Sequence, residues 1–120
     1  MADIMIVDDE PAIQQLMAII LEDMGHKVIA QSPNGDDALK TYMGFEKKPD
    51  LMIVDHRMPI MSGVDLADRI LKEFKDQKIL FLSADESIKD RVDEMGVVGF
   101  LEKPADIGTI RNSVTSALES

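Results

Sequence analysis

Short apolar runs alternate along the chain with longer segments in which apolar residues recur at helical spacing. The continuous runs at 3–7, 51–55 and 78–82 are typical of strands that are buried on both faces of a sheet. Shorter runs at 27–31 and 97–101 predict two further strands. The pattern therefore predicts five strands that are separated by helical segments.

The segments after these runs carry apolar residues every three or four positions, which indicates amphipathic helices. The predicted buried positions of four helices are Ile13, Leu16, Met17, Ile20, Leu21 and Met24; Ala38, Leu39, Tyr42 and Met43; Val64, Ala67, Ile70, Leu71 and Phe74; and Ile107, Ile110, Val114, Ala117 and Leu118. A further helix over 85–95 has a thinner apolar face, so we expect it to pack most weakly and to be the most mobile. Strand and helix alternate throughout, which predicts an α/β fold: a doubly wound, five-stranded parallel sheet with five helices on its two faces.

Polar residues near the starts of three helices predict their N-terminal boundaries, because such side chains can accept a hydrogen bond from a free N–H of the first turn. We expect the second helix to begin at Asp36 or Asp37 and the last to begin near Asp106. The third helix is expected to be capped by Ser62 or Asp65.

The composition narrows the class of protein. A chain of 120 residues, 45% of them apolar, is long enough for one domain with its own core, and we expect a single domain over 1–120. The absence of cysteine excludes a disulfide framework and cysteine-ligated metal sites. No apolar run approaches the ~20 residues of a membrane helix, and no basic segment precedes the first run. We therefore predict a cytoplasmic protein.

The net charge adds a preference about partners. A formal charge of −10 disfavours nucleic acid and anionic membranes, because both are bound mainly through Lys and Arg. The same charge favours cations and proteins with basic surfaces. We therefore expect no direct binding to nucleic acid or to a membrane.

Polar residues follow four of the five predicted strands. Asp8 and Asp9 follow the first, Asp55 ends the third, Ser83 follows the fourth and Lys103 follows the fifth. Sites in open parallel sheets lie outside the carboxyl ends of the strands, at the point where the strand order reverses. We therefore expect these side chains to converge if their strands lie near one another.

The converging groups are suited to phosphoryl chemistry. Close carboxylates repel one another, and a hard divalent cation such as Mg²⁺ relieves that repulsion while it binds carboxylate, water and phosphate oxygens. Lys103 supplies a positive charge for an anion, and Ser83 supplies a hydroxyl donor. Asp55 is thereby equipped to attack a phosphoryl group and become an aspartyl phosphate.

Motifs along the whole chain resemble the receiver domains of two-component response regulators, a family that includes the chemotaxis regulator. The segments that carry the resemblance are Ile6-Val7-Asp8-Asp9-Glu10-Pro11, Pro49-Asp50-Leu51 leading to Asp55, Met58-Pro59, Met61-Ser62-Gly63, Leu82-Ser83-Ala84 and Gly99-Phe100-Leu101-Glu102-Lys103-Pro104. The resemblance implies a flavodoxin-like sheet with strand order 2-1-3-4-5. It also implies one receiver domain over 1–120, which is monomeric or weakly dimeric.

The resemblance implies that Asp55 is the phosphoacceptor. Asp8, Asp9 and Asp55, together with the backbone carbonyl of Arg57, are expected to bind Mg²⁺ (or Mn²⁺), with Asp9 acting more directly than Asp8. The expected phosphodonor is a sensor histidine kinase or a histidine phosphotransfer protein. The expected output is a contact with a downstream protein target.

The resemblance also implies a conformational switch. Ser83 matches the family's Ser/Thr position that bonds the phosphoryl group, Lys103 matches the lysine that pairs with it, and Phe100 matches the switch aromatic. Phosphorylation is expected to move Ser83 toward the phosphoryl group while Phe100 turns inward. These movements would change the face formed by the fourth helix, the fifth strand and the fifth helix. The bond between Lys103 and Pro104 is typically cis in this family, unlike most X-Pro bonds.

Arg57 and Asp85 are charged residues two positions beyond Asp55 and Ser83. In the family these positions flank the path of the water that hydrolyses the phosphoaspartate. We hypothesise that the two charges pair over the site and slow that hydrolysis.

Two other classes of protein remain open. An aspartate-nucleophile hydrolase of the haloacid dehalogenase type has a second acid two residues after its nucleophile, and here Arg57 occupies that position. A phosphorylation-independent binding module usually lacks one of the acids or the lysine, whereas this chain retains the set. Both observations favour the receiver.

Overall fold

Five parallel strands form one sheet in the computed structural model, which describes residues 1–120. The strands span Asp3–Val7 (β1), Lys27–Ser32 (β2), Leu51–Asp55 (β3), Ile79–Ser83 (β4) and Gly99–Glu102 (β5). The helices span Pro11–Asp23 (α1), Gly35–Gly44 (α2), Gly63–Glu73 (α3), Lys89–Met95 (α4) and Ile107–Glu119 (α5). None of these helices combines the length and the apolar character that a membrane crossing would need.

The strand order β2-β1-β3-β4-β5 confirms the predicted topology. Val7 at the end of β1 lies opposite Val54 of β3, and Asp55 lies opposite Leu82 of β4. Ser83, the last residue of β4, lies opposite Glu102 of β5. This register brings the carboxyl ends of β1, β3, β4 and β5 to one edge of the sheet, with the reversal of strand order between β1 and β3.

The core is divided into two layers because successive side chains of a strand point to opposite faces. One layer packs α1 and α5 against β-strand residues such as Ile6, Ile53 and Leu80. The other packs α2, α3 and α4 against the alternate residues, such as Val54 and Phe81. Both faces of the sheet are therefore covered, which explains why its central strands are continuously apolar.

Three apolar residues that the spacing assigned to buried faces are exposed: Leu16, Met43 and Ile107. On each of these helices, the stripe of residues that contacts the sheet is narrower than the stripe of apolar residues. In α1, for example, Met17, Ile20 and Leu21 are buried. The periodicity predicted the helices correctly, but it overestimated the width of their buried faces.

Helix boundaries follow from side-chain caps. The prediction that α2 begins at Asp36 or Asp37 was wrong, because the helix begins at Gly35. Asn34 is its cap, and the side chain accepts a hydrogen bond of 2.8 Å from the Asp37 N–H. Ser62, one of the two expected caps, caps α3 in the same way, and Asp106, near which the last helix was expected to begin, caps α5.

The segment after β4 differs from the single helix predicted over 85–95. A short 3₁₀ turn over Glu86–Ile88 precedes α4, which has seven residues. Val92 is the only buried residue of α4. The expected thin packing is therefore present, and the greater mobility of this segment stays a prediction.

Candidate functional site

The edge of the sheet formed by four strand ends carries an ion-paired carboxylate cluster. Asp8, immediately after β1, is 2% exposed, and Asp55, at the end of β3, is 4% exposed. The ammonium of Lys103, which follows β5, lies 2.9 Å from Oδ1 of Asp55 and 3.6 Å from Oδ2 of Asp8. Residues from three separate parts of the sequence are thus brought into contact, as expected from the topology.

Asp8 is fixed by the turn between β1 and α1. Its N–H donates to the carbonyl of Ser32 at 3.0 Å, and its Oδ1 accepts from the Glu10 N–H at 2.9 Å. The buried side chain of Gln14 donates to the carbonyls of both Asp8 and Ser32, at 3.0 and 2.9 Å. Sequence reasoning missed Gln14. Its position on the same face of α1 as Met17 and Leu21 was a signal that its amide is buried and must form hydrogen bonds in the core.

Three consecutive acids lie together beside this turn. Carboxylate oxygens of Asp8, Asp9 and Glu10 are within 4.8 Å of one another, and Asp9 and Glu10 are exposed. Oδ2 of Asp8 is buried and has no hydrogen-bond partner. Its only cationic neighbour is the Lys103 ammonium at 3.6 Å, which is beyond hydrogen-bond distance. A buried carboxylate oxygen that accepts no hydrogen bond, within a set of oxygen ligands, fits a hard divalent cation such as Mg²⁺. Glu10 is an additional acid of this cluster that was not among the predicted metal ligands.

Burial sets the protonation behaviour of the site. It raises the pKa of both the Asp8 and the Asp55 carboxyl groups above their ordinary values, and the neighbouring acids add to this effect. The hydrogen bond and charge of Lys103 oppose the rise at Asp55. Burial would lower the pKa of Lys103, but its hydrogen bond to Asp55 and the charges of Asp55 and Asp8 raise it overall. Lys103 is therefore a permanent cation at this edge of the sheet.

The loop after Asp55 is closed tightly against β3. The His56 N–H donates to the Leu82 carbonyl at 3.1 Å, and the Gly63 N–H donates to the His56 carbonyl at 2.9 Å. A Cβ atom at Gly63 would clash with the Asp55 carbonyl oxygen, so only glycine fits there. The carbonyl of Arg57 accepts none of the backbone hydrogen bonds of the loop.

The Ser83 hydroxyl belongs to a turn at the end of β4. It is buried and accepts a hydrogen bond of 2.9 Å from the Asp85 N–H. The Ser83 carbonyl accepts from the Lys103 N–H at 2.9 Å, which links β4 to the residue that pairs with Asp55. Phe100, half-buried on β5, lies parallel to the buried ring of Phe81 with centroids 6.5 Å apart.

The hypothesised ion pair between Arg57 and Asp85 is not formed. The Asp85 carboxylate instead accepts hydrogen bonds from the backbone N–H and the hydroxyl of Ser87. These bonds are the main reason why the pKa of Asp85 is lowered, and the charges of Arg57 and His56 contribute less. The Asp85 carboxylate is therefore held by its own turn and not by Arg57. The expected cis peptide bond between Lys103 and Pro104 is present.

Known sequences and structures resemble this chain over most of its length. The chemotaxis protein CheY of Thermotoga maritima is 30% identical over 84% of this chain and 84% of its own length. The crystal structure of response regulator protein TrrA from Thermotoga maritima, in complex with Mg²⁺-BeF, is 30% identical. It superposes with a TM-score of 0.86 and covers 98% of this chain and 99% of that chain.

Some relatives are much longer than this chain. A protein-glutamate methylesterase/protein-glutamine glutaminase of Hahella chejuensis is 36% identical over 80% of this chain, which is 27% of its own length. The chain thus spans about a quarter of the length of several curated relatives that it matches. Residues 4–115 match the sequence model described as the response regulator receiver domain. This match agrees with the strand order and with the ion-paired carboxylate cluster at the carboxyl ends of the strands. The chain therefore belongs to the family of response regulator receiver domains.

Proposed function

We propose that residues 1–120 form a single receiver domain that accepts a phosphoryl group on Asp55. The donor is the phosphohistidine of a sensor histidine kinase or of a histidine phosphotransfer protein. The observation that carries the proposal is the buried Asp55 carboxylate, with the Lys103 ammonium 2.9 Å away, at the sheet edge that also holds Asp8. A buried acid paired in this way is characteristic of functional sites.

In the proposed transfer, a carboxylate oxygen of Asp55 attacks the phosphorus of phosphohistidine. The new P–O bond forms as the P–N bond breaks, and the imidazole leaves with the bonding electron pair. Lys103 is positioned to pair with the phosphoryl oxygens once Asp55 has lost its own charge. Hydrolysis reverses the modification: water attacks the phosphorus and the Asp55 carboxylate leaves. The chain thus catalyses its own phosphorylation and dephosphorylation, as a signalling protein and not as an enzyme that acts on a separate substrate.

The residues proposed to hold Mg²⁺ (or Mn²⁺) are Asp8, Asp9, Asp55 and the carbonyl of Arg57, with the Glu10 carboxylate beside them. The Asp8 Oδ2, which accepts no hydrogen bond, and the Arg57 carbonyl, which accepts no backbone hydrogen bond, support this assignment. When bound, the ion would neutralise the repelling carboxylates and share the charge of the phosphoryl group.

The proposed switch involves Ser83 and Phe100. The Ser83 hydroxyl now accepts a hydrogen bond from the Asp85 N–H, and it must turn away from that N–H to reach a phosphoryl group on Asp55. Phe100 must leave its parallel position against Phe81 to turn inward. Because Val92 is the only buried residue of α4, this helix is the part of the face formed by α4, β5 and α5 that should cost least to rearrange.

Phosphorylation in this proposal shifts a two-state equilibrium of that face, which alters the binding of a downstream protein target. The charge of −10 favours a protein target over nucleic acid or a membrane surface. We expect the protein to act in the cytoplasm as a monomer or a weak dimer.

The test is incubation with acetyl phosphate and Mg²⁺, followed by intact mass spectrometry. One labile phosphoryl group is expected in the wild type and none in Asp55→Asn, while a control at an exposed acid, Asp68→Asn, should be phosphorylated normally. Beryllofluoride with Mg²⁺ should perturb the wild type and not Asp55→Asn. Phosphate-ester turnover beyond one equivalent would support the hydrolase alternative, and the absence of any beryllofluoride response would support the binding module.

A further inference from the structure

Ile60 is held in a strained backbone conformation. Its φ of 72° makes it the only residue other than glycine with a positive φ. The Met61 N–H donates to the Pro59 carbonyl at 2.8 Å, so Ile60 is the central residue of a three-residue turn. Turns of this kind with a positive central φ are rare, and a β-branched side chain is an outlier in this region. Glycine would adopt the same conformation without the steric conflict.

Contacts within the chain do not explain the isoleucine. Its side chain is 82% exposed. Met58 and Met61, on either side, are partly buried and pack against the core layer beneath α2 and α3. The loop is therefore anchored through its methionines, while the strained turn directs Ile60 into solvent. A single exposed apolar residue would need no explanation, but one held in a strained backbone conformation that no packing contact requires is a candidate functional residue.

The position of Ile60 indicates which molecule that is. The loop begins immediately after Asp55 and is closed by the 2.9 Å bond from the Gly63 N–H to the His56 carbonyl. Because Asp55 is almost completely buried, a phosphohistidine can reach it only if the protein that carries the histidine covers the rim of the site. Asp9 and Glu10 on the same rim are exposed and acidic, which favours a donor surface with basic groups around its apolar contact.

We propose that Ile60 is a docking and specificity residue that contacts an apolar surface of the phosphohistidine protein during transfer to Asp55. The inference rests on the proposed function and names the contact that this function needs. Ile60 touches the donor protein and not the phosphoryl group, so it is not a catalytic residue. A small donor such as acetyl phosphate does not need this contact.

The experiment compares Ile60→Gly and Ile60→Asn, which remove the apolar side chain and relieve the strain, with the control Ile60→Val, which retains a β-branched apolar group. The protein donor is the purified, autophosphorylated histidine kinase that phosphorylates the wild-type chain fastest in a panel, and acetyl phosphate is the small donor. We expect kcat/KM with the kinase to fall about tenfold for the Gly and Asn variants and to stay near wild type for Val. With acetyl phosphate, all variants should phosphorylate at the wild-type rate, and the Gly variant should unfold at a higher temperature.

Unchanged transfer from the kinase to Ile60→Gly would overturn the proposal. An equal loss with acetyl phosphate would also overturn it, because it would assign Ile60 a structural role at the site. If acetyl phosphate phosphorylates the wild type while every kinase of the panel fails, the proposed docking of a histidine kinase is contradicted. The proposed phosphorylation of Asp55 would still hold. If acetyl phosphate also fails, the proposed function itself is wrong.

Discussion

Lys103 and Asp55 form an ion pair, with Nζ and Oδ1 2.9 Å apart, although Asp55 ends β3 and Lys103 follows β5, and β4 lies between these strands in the sheet. The Lys103 side chain is 23% exposed, so water reaches the ammonium but hardly reaches its partner. The same ammonium lies 3.6 Å from Asp8. One cation thus compensates two buried carboxylates, and this imbalance determines how the site should respond to mutation, pH and metal.

Replacing Lys103 with methionine should destabilise the protein, because two buried carboxylates would lose their only compensating charge. We expect the free energy of unfolding, measured by urea denaturation at neutral pH, to fall by about 3 kcal/mol. Millimolar Mg²⁺ should restore part of this loss. The control Lys72→Met removes an exposed ion pair to Asp68 and should change stability by less than about 1 kcal/mol. Equal effects of the two substitutions would argue against the proposed imbalance.

Asp8→Asn should stabilise the metal-free protein at neutral pH. Because burial raises the pKa of Asp8, the folded state holds its proton more tightly than the unfolded state. Stability is therefore lost as the pH rises through the window between the unfolded and the folded pKa. Asparagine avoids that loss, and its Oδ1 can still accept from the Glu10 N–H. The gain should disappear near pH 4, where the unfolded carboxyl also becomes protonated.

Thermal unfolding of Asp8→Asn and the wild type over a series of pH values checks this prediction. The same variant should lose most of the stabilisation that Mg²⁺ confers on the wild type. A gain in stability that grows on acidification would contradict the sign of the effect.

Tyr42 is the only tyrosine of the chain, so its ionisation can be followed by tyrosinate absorbance. Burial, with a smaller contribution from Glu73, raises its pKa to about 12. Stability should therefore fall as the pH rises above the ordinary tyrosine value of about 10. We expect tyrosinate to appear together with the loss of circular dichroism. Tyrosinate that forms near the ordinary pKa in a folded protein would refute this.

The Tyr42 hydroxyl donates to Oε1 of Gln77 at 2.8 Å within the same buried region. Tyr42→Phe would leave that acceptor without its donor and should cost about 1–2 kcal/mol in urea denaturation. The double variant Tyr42→Phe, Gln77→Leu tests whether the lost hydrogen bond causes this effect. If it does, the double variant should lose less stability than the sum of the losses of the two single variants.

Gly63→Ala should distort the loop that carries the candidate site. The added Cβ would clash with the Asp55 carbonyl oxygen and lie 2.9 Å from the His56 Cα, and these backbone atoms cannot move as a flexible side chain would. We expect a loss of about 3 kcal/mol in stability and weaker Mg²⁺ binding by titration calorimetry. Gly108→Ala is the matched control: its nearest contact would be 3.5 Å, and alanine in the first turn of α5 should stabilise by less than about 1 kcal/mol, the full difference in a helix interior. A neutral Gly63→Ala would show that the loop is more adaptable than its contacts indicate.

Local pattern alone determined the order of strands and helices, and it indicated most residues of the candidate site. Apolar runs and helical spacing depend on neighbouring residues, so the strand from Leu51 to Asp55 and the caps Ser62 and Asp106 were predictable. The strand order and the cis bond before Pro104 were correctly expected because the motifs resemble a known family. The roles of the site residues remain predictions.

Tertiary structure decided what depends on partners that are distant in sequence. The burial of Gln14 between the Asp8 and Ser32 carbonyls, the exposure of Leu16 and the strained turn at Ile60 follow from how elements pack, and spacing does not reveal them. A local contact was missed as well: Ser87, two residues after Asp85, bonds the Asp85 carboxylate, and the expected ion pair with Arg57 is absent. The physical reason is that periodicity records which face of an element is apolar, whereas the contacts of a side chain are set only when the elements meet.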